Sequence, residues 1–518
     1  MADLPYDVWG LIAENLPRNA LLPLLPLNRA FFDIVLNIRY GTIDWAMLDD
    51  TMIRHLHRLQ DPFIASRVRR LHIRAWFIQY LLKREKLFRD TSKTSVRFSF
   101  MQPTRKLLHL AQHSPDIRSS SLSAAQRIGK LASPRVTMGA MVKAINQMVN
   151  VTEYTFHWSD LDLTKETEIF LTSARSAFHS SLSKLELHAQ IPKFEPLLSA
   201  SNFVGLEELE FHFDFDTSEC FGPPNEDYRG AKNEALLIGC IAPFINRQRS
   251  TLRALTISSS AKGDHSQFFR ALELFPKLRQ LGVRVWFDKE HLSDPKGIHI
   301  LLRSPSLTLL KVELRPNYPP PVKYGHSTPY LPDAWSPLSQ ACLKNPAWLR
   351  NLESLIMPAL NHHTTLSLLR LTPCSLASLC LFGRYLSFDE VADVISIHLG
   401  LRNLSLEVQS LNLQLIGLLA NSLPQLLSLT LVLENGFADE YTLAIAFPEQ
   451  SAVFQYPAHE HWTLFDLSLF LKAYRDDSIT IIPTTCAEDE MMLCLLRTVL
   501  PSVRSFKGRG HTRSQWWD

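Results

Sequence analysis

The sequence predicts an α/β protein: a repeat solenoid of parallel strands and helices, in an arc or horseshoe, behind a small three-helix domain. Three observations carry this expectation. A short apolar pattern recurs at near-constant spacing over most of the 518 residues. Helical patterns ending in proline separate the copies. A Leu-Pro-bracketed, leucine-rich segment precedes them.

That segment opens with LPYDVWGLIAENLP, residues 4–17. Leu4, Val8, Ile12 and Leu16 recur every fourth residue, joined by Leu11, and so predict one apolar stripe on a helix. Pro5 suits the first helical turn, where a missing N–H costs nothing, and Pro17 ends the helix. Asn19 is placed to cap a second helix holding Leu21, Leu22, Leu24 and Leu25, which Pro23 and Pro26 shorten. Leu27-Asn28-Arg29-Ala30-Phe31-Phe32 begins a third. Three helices this short cannot bury all their apolar surface, so part of it is expected to need a partner. This domain is assigned to residues 1–45.

Residues 46–149 read as a connecting segment with the first irregular coils. RVRRLHI (67–73) is a weak copy of the repeat, SVRFSF (95–100) is a strand signal, and RKLLHLAQHS and VTMGAMVKAINQMV look helical.

From 150 to 510 the pattern L-x-x-L-x-L dominates. Copies are SLSKLEL (181–187), GLEELEF (205–211), TLRALTI (251–257), KLRQLGV (277–283), SLTLLKV (306–312), SLASLCL (375–381), GLRNLSL (400–406) and QLLSLTL (425–431). NVTEYTF (150–156), NLESLIM (351–357) and SVRSFKG (502–508) are weaker. From 182 to 426 the first apolar positions step by 24, 46, 26, 29, 45, 24, 25 and 25 residues. This period of about 25 lies in the leucine-rich-repeat range. The two long steps hold polar, proline-rich stretches, 214–230 and 315–333, read as loop insertions spanning 214–234 and 315–345.

Alternation at the end of each copy predicts a strand. SFDEVADVISIHL carries a capping box, Ser387 to Glu390, that predicts a helix start. Pro276, Pro305, Pro424 and Pro501 each precede a copy's first apolar residue by two, ending the helix and favouring extended chain. A single such unit cannot bury its own apolar face, so the leucines are expected to stack as core between coils. Regular repeats carry Asn three residues after the last motif Leu. Here those positions hold Gln190, Asp214, Ser260, Trp286, Arg315, Arg384, Gln409 and Glu434, which marks the solenoid as irregular. Residues 511–518 are a tail.

Composition limits the function classes. The net charge of +3 leaves no basic footprint for nucleic acid. Seven cysteines include no C-x-x-C pair, which fits a reducing compartment, cytoplasmic or nuclear. No secretory signal or membrane span is expected; the most apolar stretch, 411–433, is interrupted by Asn, Gln and Pro424. No hydrolase elbow, phosphate loop or H-E-x-x-H occurs. His459-Glu460-His461 lacks a further ligand, and His362-His363 with Cys374 and Cys380 is a loose set, Cys380 lying inside a strand motif. No catalytic residue, metal site or cofactor is therefore assigned.

At the amino-terminal end the residues Leu4-Pro5, Val8, Ile12, Leu16-Pro17, Leu21, Leu24 and Leu27-Asn28-Arg29-Ala30-Phe31 resemble the F-box motif, over roughly residues 3–40. Departures are Pro23, Pro26, and Leu27 in place of the usual Val. An F-box followed by an irregular leucine-rich-repeat solenoid resembles an architecture common among fungal F-box proteins. The resemblance implies a non-catalytic receptor that docks on a Skp-type adaptor, and through it on a cullin and a RING subunit, while the repeats hold a protein substrate for ubiquitin transfer. It implies Leu4, Pro5, Val8, Ile12, Leu16, Pro17, Leu24 and Leu27 as adaptor contacts. The alternative is a leucine-rich-repeat scaffold with no ligase role. For the substrate, the second insertion offers Tyr318, Tyr324, Tyr330 and Trp335, rigid contact area among prolines. The first offers Asp214, Asp216, Glu219, Glu226 and Asp227.

Overall fold

Each copy of the repeat ends in a β-strand, because its alternation sends the leucines to one face and polar residues to the other. The computed structural model describes residues 4–80, 82, 134–158, 161, 163–198, 203–214, 226–261, 263–303, 309–315, 335–359, 361–411, 413–434, 461–471 and 500–507. The chain divides into two compact units, Met1–Asp214 and Phe215–Asp518.

In the first unit the helices Tyr6–Glu14 and Arg18–Leu21, a 3-10 turn Leu22–Leu24 and the helix Arg29–Tyr40 lead into five parallel strands. These are β1 (Thr42–Trp45), β2 (Arg70–Arg74), β3 (Glu153–His157), β4 (Lys184–Ala189) and β5 (Glu208–Phe213), paired in sequence order. Register stacks Leu71, Tyr154, Leu185 and Leu209 in one buried row, and Ile73, Phe156, Leu187 and Phe211 in the next. Helices cross over between strands, as parallel pairing requires. Lys165–Phe178, capped by Thr164, and Ile191–Leu198 pack Phe170, Phe178 and Phe194 onto these rows.

The second unit repeats the scheme with β6 (Ala254–Ser259), β7 (Gln280–Arg284), β8 (Lys311–Arg315), β9 (Ser354–Pro358), β10 (Ser378–Leu386), β11 (Asn403–Val408), β12 (Ser428–Leu433), β13 (Asp466–Leu471) and β14 (Ser505–Lys507). Within this unit each strand pairs in parallel with the next, from β6 to β14. Leu255, Leu281, Val312, Leu355, Leu379, Leu404, Leu429 and Leu467 form one continuous buried row. Burying each such side chain contributes about 1.5–3 kcal/mol, which is why the leucines serve as core. The expected adjacency of 376–381, 401–406 and 426–431 holds, with Cys380 opposite Ser405 and Ser405 opposite Thr430. The predicted capping box is present: Ser387 accepts from the Glu390 amide and the Glu390 carboxylate accepts from the Ser387 amide. Both units are thus leucine-rich-repeat coils of strand and helix. In place of an asparagine ladder, backbone bonds tie successive strand exits: Asp214 N–H donates to Ala189 at 2.9 Å, and Glu434 N–H to Val408 at 3.0 Å.

Several local expectations are corrected. Pro5 is the residue before the first helix, with Tyr6 its first member. Asn19 lies inside Arg18–Leu21, and the cap that forms is Asn28, accepting from the Phe31 amide at 2.8 Å. The insertions are not loops throughout: helices Glu226–Leu236 and Trp335–Lys344 occupy their later parts. Trp335, Leu338 and Cys342 follow helical spacing and are all buried. Two strands carried no expectation. β1 has no leucine motif, while β13 belongs to an overlooked copy, TLFDLSL (463–469). SVRFSF, RKLLHLAQHS and the tail 511–518 lie outside the described residues. Among the described residues, no helix is long and apolar enough to cross a membrane.

Candidate functional site

The amino-terminal helices close a small core from one face only. Ala13, Leu21, Phe31, Ile34 and Val35 are buried together, with Trp9, Leu16, Leu24 and Leu25 packed partly against them. The Trp9 and Phe31 rings lie 5.1 Å apart at 57°. Trp9 and Ala13, four residues apart, thus form the inner face of Tyr6–Glu14. Val8, Leu11 and Ile12 sit on the other side, 36%, 61% and 37% exposed. Leu4 and Leu27 are exposed as well, at 43% and 60%.

Of the eight positions that resemble adaptor contacts, Leu4, Pro5, Val8, Ile12, Pro17 and Leu27 therefore face solvent, while Leu16 and Leu24 lean into the core. The expected single stripe divides accordingly, with Leu16 parting from Leu4, Val8 and Ile12. What remains outside are the apolar side chains of Leu4, Val8, Leu11, Ile12 and Leu27. The domain is also fastened to the first coils. Arg67 pairs with Asp33 at 2.5 Å, donates to Asn37 Oδ1 at 2.8 Å, and lies 4.4 Å over the Phe63 ring.

The second feature is on the strand face opposite the leucines. Alternation points Glu186 and His188 of β4, and Glu210 and His212 of β5, to that side. Register sets His157, His188 and His212 in one row, and Thr155, Glu186 and Glu210 in the row beside it. Neighbouring strands lie about 4.8 Å apart, so the imidazoles stack. Centroids are 3.7 Å apart at both steps, with interplanar angles of 17° and 8°.

Each carboxylate meets the histidine two residues on: Glu186 Oε1 to His188 Nε2 at 2.7 Å, and Glu210 Oε1 to His212 Nε2 at 3.0 Å. Thr155 Oγ1 donates to Glu186 Oε2 at 3.3 Å. Burial, then the adjacent His188, push His157 down to about 3. For Glu186 burial acts upward, but the His188 hydrogen bond and the charges of His188, His212 and Lys184 outweigh it and hold the carboxyl at about 2.

On the equivalent face of the second unit, Glu313 lies between Arg284 Nε at 2.8 Å and Arg315 Nε at 2.5 Å. Burial alone would raise its pKa; the two guanidinium groups and Lys311 lower it.

Of the residues expected to touch substrate, Tyr318, Tyr324 and Tyr330 lie outside the described residues. Trp335 is corrected. It is 2% exposed, edge-on to Phe287 at 5.6 Å, and therefore belongs to the core. The loose histidine–cysteine set does not assemble: His362 pairs with Asp393 at 2.9 Å and Glu390 at 3.7 Å, and Cys380 is buried in β10.

The histidine row was missed because its members stand 31 and 24 residues apart, beyond any local ligand motif. Its signal was the shared motif position, visible in TFH, LELH and LEFH.

No protein-family model matches the sequence. No curated protein matches it. Among solved structures 34 chains match. One, titled the crystal structure of the TLR13–ssRNA13 complex, is 13% identical over 70% of this chain with a TM-score of 0.30. This chain covers 43% of that one. The fold stands on the strand register and the repeated motif themselves.

Proposed function

We propose that this chain is the substrate-receptor subunit of a Skp–cullin–F-box type ubiquitin ligase, acting in the cytoplasm or nucleus. Residues 4–40 dock on the adaptor, and the repeats hold a protein substrate. One observation carries the reading. The exposed apolar residues of the amino-terminal domain, Leu4, Val8, Ile12 and Leu27, are ones at which the sequence resembles the F-box motif. An apolar surface of this kind suits a permanent partner better than solvent. The repeats behind it supply long rows of outward strand positions, the surface such coils use for binding. Chemistry resides in the partner subunits; the receptor contributes position.

The test is reconstitution of the full chain with a purified Skp-type adaptor, followed by co-purification. Wild type is expected to hold the adaptor, and the Leu4→Ala/Ile12→Ala double variant to release it, each truncation costing about 1–3 kcal/mol of binding. Retention that is unchanged in the double variant removes the assignment and leaves a repeat scaffold without a ligase role.

A further inference from the structure

We propose that His157, Glu186 and His188 form a binding site for one divalent transition-metal cation of the zinc class, on the outward strand face of β3 and β4. Their ligand atoms all lie within 4.8 Å of one another. Two imidazoles and one carboxylate are the donor set of open three-ligand zinc sites, in which a water or an incoming ligand takes the fourth position. Nitrogen donors select zinc, cobalt, nickel or copper over magnesium and calcium, which prefer all-oxygen sites.

The placement is built by the sheet. Glu186 and His188, two residues apart on one strand, share a face, and parallel register brings His157 beside His188. Backbone pairing fixes both strands, and the Trp158 amide donates to His188 O at 2.7 Å, holding the strand ends together. Thr155 Oγ1 bonds the second Glu186 oxygen, the kind of outer contact that orients a ligating carboxylate. The three side chains are neither fully buried nor fully exposed, so an ion has access. His188 Nε2 and Glu186 Oε1 lie 2.7 Å apart, so one cation can take both, with His157 as the third ligand. The neighbouring set of Glu186, Glu210 and His212 shares Glu186, so the two sets are not independent.

The experiment is calorimetric titration of the chelator-stripped full chain with Zn²⁺, repeated with Co²⁺ to read ligand-field absorption. Wild type is expected to bind about one ion per chain with a tetrahedral Co²⁺ spectrum. His188→Phe keeps the ring stack and removes the nitrogens; Glu186→Gln is isosteric and keeps the contact to Thr155. Each should weaken Zn²⁺ by more than the roughly 10–100-fold lost with an outer-shell contact, at unchanged circular dichroism. If His188→Phe fails to fold, Glu186→Gln decides alone. His212→Phe should leave the ion in place. Undiminished binding in Glu186→Gln, loss in His212→Phe with retention in His157→Phe, or no binding at micromolar Zn²⁺ each overturns the proposal.

Discussion

Replacing Gly297 by Ala places a methyl group where two successive helices of the second unit touch. Gly297 is buried near the start of Lys296–Arg303, against Ser266–Ala271. A Cβ built there stands 2.5 Å from the Arg270 backbone nitrogen and 2.6 Å from Phe269 Cβ. Ordinary carbon contacts are about 3.5–4.0 Å, so the helices must part by roughly 1 Å. Main-chain atoms cannot rotate away, which sets the strain near the upper end of the 1–3 kcal/mol typical of overpacking. Alanine returns up to about 1 kcal/mol in helix propensity, for a net loss of about 2 kcal/mol. Gly417, in Leu413–Ser422, is the control, since a Cβ there meets nothing within 4 Å. Gly417→Ala should therefore stabilise by about 0.5–1 kcal/mol. Thermal unfolding followed by circular dichroism should separate the two variants by several degrees, with wild type between them. Equal or higher stability for Gly297→Ala refutes close stacking of these coils.

Other perturbations follow from the same packing. Glu313→Gln leaves Arg284 and Arg315 facing each other without their shared carboxylate, and urea unfolding at neutral pH should show a loss of about 2–3 kcal/mol. Because the folded pKa of Glu313 is depressed, its contribution is complete above the unfolded value near 4.5 and is lost as pH falls through the folded one. The gap between wild type and Glu313→Gln should thus narrow in acid; a gap that widens contradicts the ion pairing. Asn28→Ala removes the cap on Arg29–Tyr40 and should cost about 1 kcal/mol, read as faster hydrogen exchange at the Phe31 amide.

The legible part of the fold was what repeats. Leucines at fixed spacing become rows in register, so the strands from β2 to β12 are readable in the sequence. β13 escaped because its first leucine, Leu464, stands 38 residues after Leu426, outside the period. β1, TIDW, carries no leucine. Trp335 was misplaced because the proline-rich run before it hid the helical spacing it begins. In the first helix, periodicity found an apolar stripe but not its direction. The core is closed by Trp9 and Ala13 with Leu16 beside them, and Leu4, Val8 and Ile12 are left outside. The histidine row is a product of register, which pairs residues that no local motif connects.

The proposed adaptor surface is the exposed face of residues 4–40. Hydrogen exchange of the full chain with and without a purified Skp-type adaptor, alongside titration of the affinity, reads it residue by residue. The expected result is saturable one-to-one binding, protection confined to the helices Tyr6–Glu14 to Arg29–Tyr40, and at least roughly thirtyfold weaker binding in Leu4→Ala/Ile12→Ala. No binding, or protection on the strands with residues 4–40 unchanged, contradicts it.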